Sequence, residues 1–127
     1  MHILVVDDKQ AVLDLVADIL TGYGHSIETA SNGLDAFEKA QKKTFDLFII
    51  DHLMPVMNGI QLAKNLKQTA KTLGTEIVFM TTQGVSGVKS MPEARLFKGI
   101  IAKPIDEKSL IQLVEVASKE NTLLHSL

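Results

Sequence analysis

Five side chains that could take part in chemistry stand directly after short apolar runs of the sequence: Asp7, Asp8, Asp51, Thr81 and Lys103. Clustered carboxylates repel one another, but they are stable together around a hard divalent cation, and oxygen ligands of this kind suit Mg²⁺. A hydroxyl and an ammonium group beside them would serve an incoming phosphoryl oxygen, because phosphoryl transfer requires positioning and charge neutralisation from the protein. If the fold brings the five residues together, we expect phosphoryl chemistry assisted by a cation.

The elements that must position these side chains alternate along the chain. Apolar and β-branched runs predict strands at residues 3–6, 26–30, 47–50, 77–80 and 100–102. Apolar residues at helical spacing predict helices between them, at about residues 11–23, 34–43 and 59–73, and a last helix from Asp106. The predicted inward faces include Leu15, Tyr23, Leu34 and Leu73, and on the last helix Leu110, Leu113, Val114 and Ala117. Between residues 83 and 98 we expect an irregular helix that is well formed only over residues 92–97, because Gly84, Gly87 and Pro92 oppose a longer one.

Strict alternation with short connections predicts an α/β fold in which helices cover both faces of a parallel sheet. The carboxyl ends of parallel strands meet at one edge, where open α/β sheets bind ligands. Asp51, which ends the almost wholly apolar run from Leu47 to Ile50, would lie at the centre of that edge. A lone aspartate there is more often a helix cap or turn residue, so the other four residues decide its interpretation.

Composition limits the classes of protein. The 127 residues are 46% hydrophobic and 22% charged with a net charge of −2, which predicts one globular domain and no nucleic-acid binding. The absence of cysteine excludes disulfides and thiol catalysis. No apolar stretch reaches membrane-spanning length and no signal peptide is visible, so we expect a cytoplasmic protein. The four histidines show no ligand spacing and are interpreted as ordinary surface or strand residues.

The residues quoted above carry a resemblance to a family. The acidic pair Asp7-Asp8, Asp51 followed by Met54-Pro55 and Met57-Asn58-Gly59, Thr81, and Lys103-Pro104 resemble the receiver domain of bacterial two-component response regulators, of the chemotaxis type. The resemblance covers nearly the whole chain. It implies a flavodoxin-like (βα)5 doubly wound parallel sheet with strand order 2-1-3-4-5.

The resemblance also implies a role for each residue at the edge. Asp51 would be the phosphoacceptor, supplied by a histidine kinase or a histidine phosphotransfer protein. Asp8, Asp51 and the backbone carbonyl of Leu53 would bind Mg²⁺ directly, while Asp7 would act through a water or by holding Lys103. Thr81 would move inward and donate its hydroxyl to the phosphoryl group.

Further implications concern the switch and its output. Lys103 would pair with the phosphoryl group, and the Lys103-Pro104 peptide is expected to be cis. The resemblance implies a signalling switch rather than an enzyme. Its surface of helix 4, strand 5 and helix 5 would control a partner or an output domain, with a phosphorylation-dependent dimer as one form of output.

The sequence departs from the family pattern in places. Ile100 occupies the switch position where the family usually has an aromatic residue, so we do not expect the family's usual coupling between the threonine and an aromatic ring. Thr82 stands where the family prefers alanine or glycine. Leu53 and Gln83 would flank the path of the water that hydrolyses the phosphoryl group, and the apolar Leu53 favours a longer-lived adduct.

Three alternative functions remain to be weighed. A phosphatase of the haloacid dehalogenase type would need a second aspartate two residues after the first, where this chain has Leu53. A nucleotide or flavin module would need a glycine-rich turn after the first strand, where this chain has Asp7-Asp8-Lys9-Gln10. A receiver that is not phosphorylated is disfavoured because all five signature residues are present.

We expect the receiver domain to occupy residues 1–120, followed by a C-terminal tail at 121–127. Since no flexible linker is visible, a stand-alone receiver is favoured over the N-terminal part of a longer regulator. The sequence does not identify the kinase or the output partner.

Overall fold

A computed structural model describes the backbone of residues 1–126 and the side chains of residues 1–119. Its strands are β1 (His2–Val6), β2 (Ser26–Ala30), β3 (Leu47–Asp51), β4 (Glu76–Thr81) and β5 (Gly99–Ala102). Its α-helices are α1 (Gln10–Gly22), α2 (Gly33–Lys42), α3 (Gly59–Leu66), α4 (Val85–Lys89) and α5 (Glu107–Ser126), with a 3₁₀ helix at Pro92–Leu96. The predicted strands are confirmed to within one residue at each end.

The five strands form one parallel sheet in the order β2-β1-β3-β4-β5. This confirms the predicted flavodoxin-like α/β fold and its 2-1-3-4-5 strand order. In register, Val6 lies beside Ile50, Asp51 beside Met80, and Thr81 beside Ala102. The carboxyl ends of β1, β3, β4 and β5 therefore meet along one edge.

Two apolar cores lie on opposite faces of the sheet, because successive strand residues point to opposite sides. Phe48, Ile50, Ile77 and Phe79 belong to the core under α2 and α3. The other core, under α1 and α5, contains Ile3, Val5, Leu47, Ile49, Val78, Met80, Leu110 and Val114. Every residue of β3 is buried, so packing on both faces of the strand sets the position of Asp51 at its carboxyl end.

Several helical side chains predicted to face inward are exposed instead. These are Leu15, Tyr23, Leu34 and Leu73, whereas Leu13, Ala36 and Leu62 are buried. On α1 Leu13 lies at helical spacing from the buried Val16 and Leu20, and Leu15 lies at helical spacing from Val12 and Ile19, so periodicity alone could not choose the inward side. On α2 the small Ala36 faces the sheet in place of the larger Leu34. On α5 the predicted residues Leu110, Val114 and Ala117 are buried as expected.

The third helix is shorter than predicted because polar side chains close the turn that follows it. It ends at Leu66, whose carbonyl accepts a hydrogen bond from the buried hydroxyl of Thr72. Lys67 Nζ donates to the carbonyls of Leu73 at 3.2 Å and Thr75 at 2.8 Å. The Thr72 hydroxyl satisfies the Leu66 carbonyl, which a longer helix would have paired internally, and Lys67 satisfies two carbonyls of the turn itself.

The segment between β4 and β5 also differs from the sequence prediction. Residues 92–97 were expected to form the best helix, but the α-helix lies at Val85–Lys89 and the later turn is 3₁₀. Val88 is buried and anchors the first turn to the core. Pro92 begins the second turn, and Phe97 is already extended, so too few residues remain for an α-helix.

The proposed boundary between a domain at 1–120 and a tail at 121–127 falls inside α5. The backbone of α5 continues to Ser126. Side chains from residue 120 onward, and the whole of residue 127, lie outside the described residues. The boundary therefore stays a prediction. Among the described residues, no helix combines the length and apolar character needed to cross a membrane.

Candidate functional site

Asp7, Asp51 and Lys103 form a buried ionic cluster at the carboxyl edge of the sheet. Lys103 Nζ lies 2.6 Å from Asp7 Oδ2 and 2.9 Å from Asp51 Oδ1. The residue Asp7 is fully buried and Asp51 is 3% exposed. Because the carboxyl ends of β1, β3, β4 and β5 meet along one edge of the sheet, residues separated by up to 96 positions meet here.

Burial and charge shift the pKa values in this cluster. Burial raises the pKa of Asp51, and although the hydrogen bond from Lys103 opposes this rise, the charges of Asp7 and Asp8 add to it. Burial alone would lower the pKa of Lys103, but its hydrogen bonds to Asp7 and Asp51 outweigh that effect and raise it. Lys103 therefore stays charged. Its ammonium balances the negative charge of Asp51 only in part.

One oxygen of Asp51 has no hydrogen-bond partner in the part of the chain whose side chains are described. Its Oδ2 atom is buried and makes no hydrogen bond among the residues whose side chains are described. Native proteins rarely leave a buried carboxylate oxygen in this state, and such atoms call for an explanation. A carboxylate oxygen that binds a cation or attacks phosphorus would lack a hydrogen-bond partner for this reason.

The cluster extends to Asp8, which is exposed. Asp7, Asp8 and Asp51 each offer a carboxylate oxygen, and these atoms lie within 4.8 Å of one another. Hard divalent cations take oxygen ligands of this type, so the donor set fits Mg²⁺. Asp7 is already engaged, since Oδ2 pairs with Lys103 and Oδ1 accepts the backbone N–H of Lys9 at 2.9 Å. Asp8 and Asp51 are therefore the freer of the three for a cation.

The loop after Asp51 packs tightly because Gly59, the first residue of α3, has no Cβ. A Cβ at Gly59 would lie 2.0 Å from the backbone oxygen of Asp51 and 2.8 Å from Phe79 Cε1. Asn58 caps the helix by accepting the N–H of Gln61 at 3.0 Å. Val56, at the exposed tip, has a φ of 69°, which is a strained conformation for a β-branched residue. The Asn58-Gly59 pair of the sequence motif thus holds the loop against the site.

Thr81 reaches the same edge, but its hydroxyl is engaged elsewhere. Its Oγ1 atom lies 2.9 Å from His52 Nδ1 and accepts the backbone N–H of Gln83 at 2.9 Å. The residue is fully buried. The structure thus brings the side chains of Asp7, Asp8, Asp51 and Lys103 into one cluster, and directs the Thr81 hydroxyl toward His52.

His52 was not singled out in the sequence. Burial lowers the pKa of its imidazole. The signal that could have found it is strand alternation: His52 is in phase with Ile50, Thr81 is in phase with Phe79, and Ile50 and Phe79 are register neighbours. This register places the side chains of His52 and Thr81 next to each other on the same face of the sheet.

The remaining predicted positions lie around the site. The Leu53 side chain is exposed. Ile100 is half-buried, packs against the core under α2 and α3, and lines a depression between α4, β5 and α5. The Lys103-Pro104 peptide is cis, as predicted.

Comparison with known proteins identifies the family to which this site belongs. The sequence model of the response regulator receiver domain matches residues 3–115. The chain therefore belongs to the response regulator receiver domain family, whose members are signalling switches of two-component systems, phosphorylated on an aspartate, rather than classical enzymes. This confirms the resemblance carried by the sequence motifs.

Individual relatives match nearly the whole chain. The chain is 28% identical over 113 residues to the protein PilH of Pseudomonas aeruginosa, covering 89% of this chain and 93% of PilH. The chemotaxis protein CheY4 of Vibrio cholerae has 31% identity and a TM-score of 0.85, over 91% of this chain and 97% of CheY4. The response regulator TrrA of Thermotoga maritima, in complex with Mg²⁺–BeF, has 28% identity and a TM-score of 0.83, over 91% and 97% of the two chains.

The relatives differ in how much of their length the chain spans. It spans 54% of a probable transcriptional regulator and 12% of a histidine-protein kinase that carries a matching region. Receiver domains thus occur in proteins of several architectures. The output and the partners of this protein are accordingly proposals.

Proposed function

We propose that Asp51 accepts a phosphoryl group from a histidine kinase or a histidine phosphotransfer protein. The observation that carries this proposal is the buried, unpartnered Oδ2 of Asp51, whose other oxygen is held by Lys103. Oδ2 would attack phosphorus, and the bond from phosphorus to the donor nitrogen would break with its electron pair leaving on the nitrogen. The alternative donor is a small acyl phosphate, whose oxygen would leave instead.

The surrounding residues would neutralise the charge that the phosphoryl group brings. Lys103 would contribute its ammonium, and Asp7 would hold that ammonium in place through the 2.6 Å contact. Asp8, Asp51 and the carbonyl of Leu53 would hold Mg²⁺, which when bound lowers the repulsion between the carboxylates and the phosphoryl oxygens. The complex of TrrA with Mg²⁺–BeF supports this assignment by similarity.

Thr81 would complete the site by turning its hydroxyl toward a phosphoryl oxygen. In the structure this hydroxyl contacts His52 and Gln83, so a movement is required. The movement would alter the surface formed by α4, β5 and α5, including Ile100, and so change binding to a partner, an output domain or a second copy of the chain. A cytoplasmic location stays a prediction.

The proposal is tested by incubating the protein with acetyl phosphate and Mg²⁺ and measuring its intact mass. We expect one phosphoryl adduct that is lost in base, that requires Mg²⁺, and that is absent from Asp51→Asn. Asp46→Asn, at a half-buried aspartate at the other end of β3, is the matched control and should still be phosphorylated. Absence of an adduct in the wild type, or an undiminished adduct in Asp51→Asn, would contradict the proposal.

A further inference from the structure

His52 is held rigidly beside Thr81. Its backbone N–H donates to the Met80 carbonyl at 2.9 Å, and its carbonyl accepts the N–H of Gly59 at 2.7 Å. The ring lies against Phe79, with centroids 5.2 Å apart and planes inclined at 47°. Bonds on both sides of the backbone and packing of the ring therefore fix Nδ1 at 2.9 Å from Thr81 Oγ1.

Turning the Thr81 hydroxyl away from His52 would break a buried hydrogen bond. Thr81 is fully buried, so water cannot replace a broken hydrogen bond at Oγ1. The N–H of Gln83 already donates to the same atom. Of the two contacts, the one with Gln83 is between neighbours on the chain and can move with Thr81. The contact with His52 ties Thr81 to β3, and this contact must break if the hydroxyl turns away.

We propose that His52 is a positioning residue that holds the Thr81 hydroxyl away from Asp51 and thereby slows phosphorylation. This deepens the proposed function and rests on it, because the hydroxyl is needed at Asp51 only if a phosphoryl group is bound there. In the tautomer with the imidazole proton on Nε2, Nδ1 accepts the Thr81 hydroxyl, so His52 and a phosphoryl oxygen compete for that hydroxyl. Removing one net hydrogen bond from the resting arrangement should raise the rate constant of phosphorylation roughly five-fold.

The ring of His52 also connects Thr81 to the segment between β4 and β5. Phe79 stacks on Phe97, with ring centroids 4.1 Å apart and planes inclined at 9°. Phe97 lies between the 3₁₀ helix and β5. A side-chain path thus runs from Thr81 through His52 and Phe79 to Phe97, beside the position where Ile100 supplies no aromatic ring.

The first test compares variants at His52. His52→Phe keeps a ring against Phe79 but has no nitrogen, and His52→Leu serves as a second variant without a nitrogen. In His52→Asn, a polar amide atom stands two bonds from Cβ, as Nδ1 does, so this variant should restore the wild-type rate. His25→Phe makes the same change at a histidine whose ring contacts the Met1 amino group instead. The rate constant with acetyl phosphate and the affinity for Mg²⁺ are measured for each.

We expect the rate constant to rise roughly five-fold in His52→Phe and His52→Leu, to return toward the wild-type value in His52→Asn, and to be unchanged in His25→Phe. Mg²⁺ affinity should stay the same, because His52 is not a ligand. In a Thr81→Ala background, His52→Phe should have no effect, since the competing hydroxyl is gone. An equal effect of His52→Phe with and without Thr81 would overturn the proposal, as would rates that do not change.

A second measurement separates this inference from the proposed function. Scalar couplings report the χ1 rotamer of Thr81 in protein that has met no phosphoryl donor. We expect one rotamer in the wild type and in His52→Asn, and a mixture in His52→Phe. The same single rotamer in all three would overturn the role of His52 even if Asp51 is phosphorylated. Conversely, failure of the wild type to be phosphorylated would remove the proposed function and leave the rotamer result standing.

Discussion

Charge balance at single residues supports the cation of the proposed site. Three carboxylates, Asp7, Asp8 and Asp51, and the buried ammonium of Lys103 leave two negative charges, which the exposed Lys9, 3.5 Å from Asp8, offsets only in part. That surplus is what a divalent cation neutralises. Burial makes the surplus more costly at Asp51 than it would be in water, and the raised pKa of Asp51 reflects this. Among these residues Asp8 is exposed, so it faces the solvent from which a cation arrives.

Replacement of Asp8 should weaken Mg²⁺ binding more than replacement of Thr81. Asp8→Asn removes a charge from the ligand set, whereas Thr81→Ala removes a hydroxyl that contacts His52 and Gln83. Loss of one ligating charge is expected to lower the affinity about ten-fold or more, the lower end of the effect of outer-shell changes at metal sites. Asp18→Asn, at an exposed aspartate of α1, is the control and should bind as the wild type does. Mg²⁺ titration by calorimetry measures all four proteins, and equal affinities would show that the acidic cluster is not the metal site.

At the scale of residues, the sequence predicted which side chains come together at the edge of the sheet, but it missed one contact. The five residue types and their positions after apolar runs were sufficient to predict an acidic site with an adjacent ammonium, because strand ends in a parallel sheet converge. The contact of His52 with Thr81 was missed because histidine spacing along the chain was searched for metal ligation, while the partner lies on another strand. The register between β3 and β4, which places His52 beside Thr81, was the information that the sequence did not supply.

At the scale of elements, the junction of β3 and α3 is closely packed beside the site. We expect Gly59→Ala to destabilise the fold by about 1–3 kcal/mol, because its Cβ would overlap the backbone oxygen of Asp51 and the ring of Phe79. Gly74→Ala is the matched control, since a Cβ there meets nothing within 4 Å. Urea unfolding measures both variants. Equal stabilities would mean that α3 can shift without loss, and that Gly59 does not hold the loop against Asp51.

The segment from β4 to β5 is the element most easily rearranged. It contains a five-residue α-helix and a five-residue 3₁₀ helix, and most of its side chains are exposed or half-buried. Few buried contacts and short hydrogen-bonded runs give a low free energy of local opening. A movement of Thr81 would draw Thr82 and Gln83 with it, since Gln83 N–H is bonded to Thr81 Oγ1.

On phosphorylation we therefore expect amide hydrogen exchange to change most across residues 82–98. Ile100→Ala should leave most of this change intact, because a β-branched side chain has no ring to swing between two positions. Val116→Ala, at an exposed position of α5 lining the same depression, is the control. Mass-spectrometric exchange with and without acetyl phosphate checks the prediction. A change confined to the loop around Asp51, or one that Ile100→Ala abolishes, would contradict it.

The same segment shows where element prediction from sequence fails. Gly84, Gly87 and Pro92 correctly indicated irregular structure, but the α-helix formed around Val88 rather than at residues 92–97. The deciding factor was burial of one valine in a core that only the folded sheet creates. Tertiary contacts also chose the inward phase of α1 and α2, for which two apolar stripes were available.

At the scale of the whole molecule, the order of the strands accounts for the site. Strand β3 is central, with β1 on one side and β4 on the other, and β5 lies beyond β4. This order places Asp51 between the acidic pair after β1 and Thr81 at the end of β4, while Lys103 reaches across from β5. Alternation of strand and helix was visible in the sequence, so the fold class was predictable. The 2-1-3-4-5 order came from the family resemblance, and the structure confirms it.

The central claim is that Asp51 is the phosphoacceptor, and locating the modified residue tests it most directly. Borohydride reduces an aspartyl phosphate to homoserine, which peptide mass spectrometry places in the sequence. After treatment with acetyl phosphate and Mg²⁺, we predict homoserine at position 51 in the wild type and at no position in Asp51→Asn. Homoserine at position 7 or 8 in the wild type, or anywhere in Asp51→Asn at the wild-type level, would contradict the assignment.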